Sequence, residues 1–318
     1  MEYGQYQPQY APIKKKPGKV VCFLLAMLAP IIYLTMQSVV QIILLVPMAV
    51  VMGFSVATES MDLEVLLESA VIDLTVTTLL PSMVIAACAT ALIFYFLFKG
   101  IKNIPISRGV EPKMFLATVP SVAATIVSAV GLNVALTFVV ELLSKMLDIS
   151  SFIDKIIPGL GEYFKQITEQ SAQMTNDAMN AVPPVMVFLA IGIVGPIIEE
   201  LAFRQISFRA LSSSFSIKTA IVLQAVFFGV AHGAPVQVLY TFAVGLIMGV
   251  AYYRTRSLFI PILFHVVFNT TACVMGYIVS DVMTMSFAIT AAVSAVVAIA
   301  ATVYLCAFSK AHKKQADF

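Results

Sequence analysis

The chain has 318 residues, of which 60% are hydrophobic and only 11% are charged. Soluble globular domains carry about a quarter charged residues, so this composition excludes a soluble protein. Long apolar stretches recur along the whole length and predict an all-α polytopic membrane protein, because a helix satisfies its own backbone hydrogen bonds in lipid. The small net charge of +2 gives no indication of nucleic-acid binding.

Apolar stretches of membrane-spanning length predict about eight transmembrane helices. They are expected at 20–53, 70–98, 114–142, 183–211, 217–234, 236–253, 258–279 and 286–308. The segment 143–181 is expected to be either a short amphipathic helix on the outer surface or a plain linker. The predicted regions are a basic cytoplasmic tail (1–19), the first three transmembrane helices (20–142), an extracytoplasmic connection (143–182), a core of helices four to seven (183–279), and the last helix with a basic cytoplasmic tail (280–318).

Lysine and arginine are distributed unequally between the two sides of this topology. Sixteen fall on the side of both termini: Lys14, Lys15, Lys16, Lys19, Lys99, Lys102, Arg108, Lys113, Arg204, Arg209, Lys218, Arg254, Arg256, Lys310, Lys313 and Lys314. Three fall on the other side: Lys145, Lys155 and Lys165. Because short loops rich in Lys and Arg stay in the cytoplasm, the asymmetry predicts a multi-pass cell-membrane protein with both termini cytoplasmic.

Polar residues inside the predicted helices four, five and seven are the main functional signal, because ionisable groups in a span are costly and mark function. Glu200 and Arg204 are four residues apart with the acid first, which favours a helical ion pair. Glu199 projects about 100° away around the helix and has no partner in its own segment. The spacing predicts a structural Glu200 and a Glu199 free for chemistry. The alternative is that both acids pair with basic residues elsewhere.

Two histidine motifs follow on later predicted helices. Phe228 and His232 share a helical face, as do His265 and Asn269, and each pair alone is also compatible with an interhelical polar clamp. Counting about 1.5 Å per residue from the cytoplasmic ends puts Glu199 and His232 at roughly 20–22 Å and the other pair at roughly 10–16 Å. These depths permit one shared cavity, which we expect to open to the cytoplasm.

The ordered set of motifs resembles the CPBP family of intramembrane proteases. That family comprises CAAX proteases and bacteriocin-processing enzymes and is also called the Abi family. The resemblance covers roughly residues 183–279, and it implies an eight-helix fold around a conical intramembrane cavity. The motifs that carry it are Glu199-Glu200-xxx-Arg204, Phe228-xxx-His232 and His265-xxx-Asn269.

The resemblance also implies roles for these residues. Glu199 and His232 would activate a water molecule. His265 and Asn269 would form the oxyanion site that stabilises the tetrahedral intermediate. The remaining motif residues would support them: Glu200, Arg204 and Phe228.

The predicted function is an intramembrane endopeptidase that cleaves a CAAX-type or other small peptide or protein near the membrane. Its expected partners are membrane lipid and that peptide or small-protein substrate, and the sequence indicates no oligomeric state. No cofactor is favoured, because the chain has no HExxH motif. The alternative is a metalloendopeptidase in which Glu199, His232 and His265 hold zinc and leave one position for water.

Two other functional classes compete with this prediction. A non-catalytic membrane protein of the same fold could serve in bacteriocin self-immunity or as a scaffold. An ion-coupled transporter could use the same acids and histidines as a proton relay. A transporter built from two halves would also carry intramembrane charge pairs in the first half, where the sequence has none of this kind.

Overall fold

The computed structural model describes residues 18–56, 63–101, 117–146, 149–233, 235–279 and 281–308. Every regular element in these ranges is a helix, which confirms the predicted all-α fold. Apart from Gly18 and Lys19, the predicted tails 1–19 and 309–318 lie outside the described residues. The helices are α1 (Lys19–Val56), α2 (Leu63–Ile101), α3 (Val119–Met146), α4 (Ile149–Ile156), α5 (Leu160–Ala181), α6 (Pro184–Ser212), α7 (Ile217–Ala231), α8 (Pro235–Thr255), α9 (Phe259–Ile278) and α10 (Met285–Val303).

Seven of these helices in the described part of the chain are long and apolar enough to cross a membrane, which confirms a polytopic membrane protein. The expected eighth crossing at 217–234 is instead α7, an apolar helix of 15 residues. At 1.5 Å per residue α7 reaches about 22 Å, short of the roughly 30 Å hydrocarbon core. The sequence prediction extended three residues beyond the end of α7, to the small residues Gly233 and Ala234.

Helix α7 packs antiparallel against α8, so the chain returns to the side from which α7 starts. The Gln224 side chain of α7 donates to the main-chain oxygen of Gly245 on α8 at 3.0 Å. A Cβ atom at Gly249 would lie 2.5 Å from Gln224 Nε2, so glycine permits this approach without displacing the Gln224 side chain. Because α7 and α8 together start and end on the same side, the first and last helices of the bundle keep their outer ends on one side although α7 is short.

Helix α6 is continuous but contains two π-helical stretches, Phe188–Val194 and Leu201–Phe208. The Gly195 N–H bonds to the Ala190 oxygen, which is a five-residue step rather than the usual four. The next residue, Pro196, has no N–H, so the Ile191 oxygen loses its expected main-chain donor. Such π-turns are frequent at functional sites, and these two flank Glu199 and Glu200.

The connection at 143–182 is helical rather than a plain linker. It contains α4 and α5, and Gly159 separates them with a left-handed φ of 82°. Large apolar side chains are exposed along this segment: Phe152, Ile156, Ile157 and Tyr163. An exposed apolar face on a short helix is typical of a segment that lies at a membrane interface.

The bundle has two distinct ends. At the basic end, the ammonium group of Lys19 lies 5.9 Å from the centroid of the Phe215 ring, so α1 starts where α6 finishes. At the opposite, acidic end, the Tyr277 hydroxyl of α9 donates to the Met179 oxygen of α5 at 3.3 Å. In the described parts of 141–181 and 281–284, acidic residues outnumber lysines by six to three. The acidic residues are Glu141, Asp154, Glu162, Glu169, Asp177 and Asp281.

Candidate active site

Glu200 is the centre of a fully buried ion network. Its Oε1 accepts a hydrogen bond from Arg204 Nη1 at 2.8 Å, and neither side chain is exposed to solvent. The same oxygen lies 2.8 Å from His265 Nδ1, which must carry a proton to donate to a carboxylate. The predicted i,i+4 ion pair is therefore present, and it also fixes the tautomer and direction of His265.

Phe228 joins this network to the second histidine motif. The Arg204 guanidinium carbon lies 4.5 Å from the Phe228 ring centroid, a cation–π contact. The same ring packs edge-on against His232 and His265, with centroid distances of 4.7 and 5.5 Å. Phe228 thus supports three of the predicted site residues at once.

His232 lies at the C-terminal end of α7, where the helix stops. Gly233 follows with φ +73°, a conformation that favours glycine and ends the helix. His232 Nδ1 lies 2.8 Å from the Phe228 main-chain oxygen. Since a carbonyl can only accept, Nδ1 carries the proton and Nε2 faces away from it.

Glu199 lies between the two imidazole rings. Its Oε2 is 4.0 Å from His232 Nε2 and 3.8 Å from His265 Nε2. Its Oε1 accepts a hydrogen bond from the Tyr33 hydroxyl of α1 at 3.4 Å. Oε2 is buried and has no hydrogen-bond partner among the described residues. The side chains of Glu199, His232 and His265 therefore meet in space, although they come from three different helices.

The facing atoms of Glu199, His232 and His265 can be compared by what they donate and accept. With each Nδ1 carrying a proton, His232 Nε2, His265 Nε2 and Glu199 Oε2 are three acceptors directed at one place, which one shared proton relieves. Arg204 pairs with Glu200, and among the described residues no Lys or Arg lies within salt-bridge distance of Glu199.

Asn269 satisfies the carbonyl that the π-turn leaves without a donor. Its Nδ2 donates to the Ile191 oxygen at 3.0 Å. An unpaired buried carbonyl would cost about 1–3 kcal/mol, so this bond supports the unusual turn before Pro196. One N–H of the amide is used in this way, and the second is left for another acceptor.

A cavity of about 540 Å³ adjoins these residues. Motif residues contribute to its wall: Phe228, His232, His265 and Asn269. Glu199 itself is not part of the wall. The cavity occupies the half of the bundle toward the acidic end. The expectation of a cavity open to the side of both termini is therefore wrong, because the histidines are reached from the other end.

The geometry of the trio fits a bridging water better than a tetrahedral zinc ion. For acceptor separations of 3.8 and 4.0 Å, a water about 2.8 Å from each would subtend about 85–90°. A zinc ion at about 2.05 Å would subtend about 135–155°, far from tetrahedral. Among the described residues, no group of three or more His, Cys, Asp or Glu side chains is placed to hold a metal ion.

Two residues at this site carry little signal in the sequence. Tyr33 lies in a long apolar helix and reaches Glu199 across 166 positions of chain. Asn133 of α3 lines the cavity, is only 4% exposed, and its Oδ1 accepts no hydrogen bond from the described residues. An asparagine inside a predicted span is a weak hint of function, whereas a single tyrosine is none.

A helical membrane bundle with paired buried carboxylates and two imidazoles beside a cavity has the features of CAAX-type intramembrane proteases. Residues 181–271 match the family described as type II CAAX prenyl endopeptidase Rce1-like, and this segment contains all three motifs. Over this segment the chain is therefore similar to the CAAX-type proteases of the CPBP family, in agreement with the resemblance that the motifs indicated.

A curated relative supports the same assignment. The chain is 31% identical over 127 residues to the Bacillus subtilis (strain 168) protein named "Putative membrane peptidase YdiL". The matched segment is 40% of this chain and 49% of that protein, so the chain spans about half the length of the relative. No solved structure matches the chain.

Proposed function

We propose that the protein is an intramembrane endopeptidase that hydrolyses a CAAX-type or other small peptide or protein without a metal ion. The observation that carries the proposal is the placement of Glu199 Oε2 at 4.0 Å from His232 Nε2. Two acceptors at this separation suit one water molecule between them. The shared proton of the trio supplies the acid that peptide cleavage also needs.

The reaction then proceeds in two steps. The water oxygen attacks the scissile carbonyl carbon while its proton passes to Glu199 or His232, and the carbonyl oxygen becomes the oxyanion. The free N–H of Asn269 donates to this oxygen, as does His265 when its Nε2 carries the shared proton. The C–N bond then breaks as the carbonyl re-forms, and the leaving amine takes the proton that Glu199 or His232 received from the water.

Asn133 has a separate place in this proposal. An extended peptide brings backbone N–H groups into the cavity, and each needs an acceptor there. The unpaired Asn133 Oδ1 supplies one. Asn133→Leu is therefore expected to raise KM with little change in kcat, and an unchanged KM would remove this residue from substrate binding.

Cleavage of a quenched fluorogenic CAAX-type peptide by the purified protein in proteoliposomes tests the proposal. We expect activity that persists with a chelator and falls by about 10²–10⁴-fold in Glu199→Gln and His232→Ala. The matched control is Glu169→Gln, an exposed acid of α5, which should retain full activity. Loss with the chelator and recovery with zinc would contradict the metal-free mechanism. Activity unaffected by Glu199→Gln would contradict the site.

A further inference from the structure

The cavity opens toward the acidic end of the bundle. Its wall on α3 runs from Asn133 to Glu141, on the half nearer the helix end at Met146. On α8 it uses Gln237 to Val244, the first half of that helix, and the loop residue Val282 completes the rim. Helices α3 and α8 therefore each contribute the half that lies toward one and the same end.

The basic side of the site is filled by packed side chains. Between the histidines and the basic end lie large residues with at most 2% exposure: Phe203, Phe208, Leu211, Tyr252, Leu258 and Phe264. Phe208 and Tyr252 pack edge-on with ring centroids 5.5 Å apart. In the described residues, a substrate that approached from the basic end would meet this layer before the site.

The sequence relates the two ends to the membrane. By the predicted topology, fifteen Lys and Arg residues besides the buried Arg204 belong to the basic side, against three on the acidic side. The antiparallel α7–α8 pair keeps this assignment valid although α7 is short, since both of its outer ends, Lys218 and Arg254, lie at the basic end. The positive-inside tendency then places the basic end in the cytoplasm and the cavity mouth outside.

We propose that the site takes polypeptides presented from the non-cytoplasmic face of the membrane: exported peptides, or the outer portions of membrane-anchored proteins. This inference rests on the proposed peptidase function. The amphipathic α4–α5 segment lies at the same end, with Phe152 and Ile156 about two-thirds exposed, at 64% and 65%. Those side chains suit the outer leaflet, where they would hold the cavity mouth at the membrane surface.

Cysteine labelling of intact spheroplasts tests the sidedness directly. In a background with the four native cysteines replaced, Val282→Cys reports the rim and Lys218→Cys is the matched control at the basic end. With a membrane-impermeant maleimide, we expect Val282→Cys to be labelled before lysis and Lys218→Cys only after it. The reverse pattern overturns the inference, as does labelling of both variants only after lysis.

Peptide cleavage in oriented vesicles separates this inference from the peptidase proposal. With an impermeant fluorogenic peptide outside, right-side-out vesicles should cleave and inverted vesicles should not, unless they are permeabilised. Cleavage by inverted vesicles alone overturns the inference and leaves the peptidase function intact. Cleavage by neither preparation, even after permeabilisation, contradicts the peptidase function, and the labelling result then decides the orientation of the cavity alone.

Discussion

Glu199 and Glu200 are adjacent in the chain, yet their surroundings differ in nearly every respect. Glu200 has no exposed surface and is held at 2.8 Å by both Arg204 and His265. Glu199 faces two imidazole nitrogens at 3.8 and 4.0 Å, beyond hydrogen-bond distance. Glu200 Oε1 thus takes two close partners, whereas Glu199 Oε2 faces two imidazole nitrogens and has no hydrogen-bond partner among the described residues. The rotation of about 100° between adjacent helix positions is enough to give the two acids these different surroundings.

This comparison predicts its largest effect at Glu199. Glu199→Gln keeps the shape of the side chain but removes the carboxylate that shares the proton, so we expect kcat/KM to fall about 10²–10⁴-fold. Folding should be nearly unaffected, because no ion pair at hydrogen-bond distance is lost. Peptide cleavage and thermal unfolding of the same preparation measure the two quantities. A variant that unfolds together with losing activity would show that Glu199 is structural as well.

Glu200→Gln is expected to do the opposite and act first on stability. It leaves the buried Arg204 charge without its partner, which typically costs about 3–5 kcal/mol in the free energy of unfolding. Denaturant titration in mixed micelles measures this loss. The control Glu169→Gln on the exposed face of α5 should stay within about 0.5 kcal/mol.

A second substitution sharpens the same test. In Glu200→Gln with Arg204→Met, the uncompensated charge is removed, so part of the lost stability should return. A double variant as unstable as the single one would show that the cost comes from lost packing rather than from the unpaired guanidinium.

Much of the fold could be predicted because membrane helices are recognisable in a sequence by their length and apolar composition. The observed α6, at Pro184–Ser212, differs by one residue at each end from the prediction of 183–211. The i,i+4 pairing of Glu200 with Arg204 also follows from helix geometry alone. These features depend on neighbours within one turn, which a sequence displays directly.

Features that depend on distant residues could not be predicted. The predicted depths placed His265 well below Glu199, because each helix was counted from an assumed surface position. In the structure the turn before α9 is buried, with Ser257 at 0% and Leu258 at 2% exposure, so α9 begins deeper and His265 reaches Glu199. The left-handed Gly233 that ends α7 was likewise hidden among small residues.

The end of α7 offers a smaller perturbation of the reactive side. Gly233→Ala places a Cβ in open space but at φ +73°, so its cost is conformational, about 1–2 kcal/mol. We expect His232 to shift and activity to fall by roughly tenfold, while the Glu200 network is untouched. The control Gly18→Ala also meets no neighbour and has no positive φ. Equal activity in the two variants would show that the left-handed turn does not position His232.

Tyr33→Phe tests the only polar contact, among the described residues, that another helix makes to Glu199 at hydrogen-bond distance. The bond is long, at 3.4 Å, so its loss should cost about 0.5–1.5 kcal/mol, or up to about tenfold in kcat. Because Tyr33 touches Glu199 and is not part of the cavity wall, the change should appear in kcat and leave KM nearly constant. The control Tyr95→Phe, on the exposed face of α2, should change neither.

If kcat is equally low in Glu199→Gln and in the double variant Glu199→Gln with Tyr33→Phe, the hydroxyl acts entirely through the Glu199 carboxylate. An additional loss from Tyr33→Phe in that background would show that it acts through packing instead.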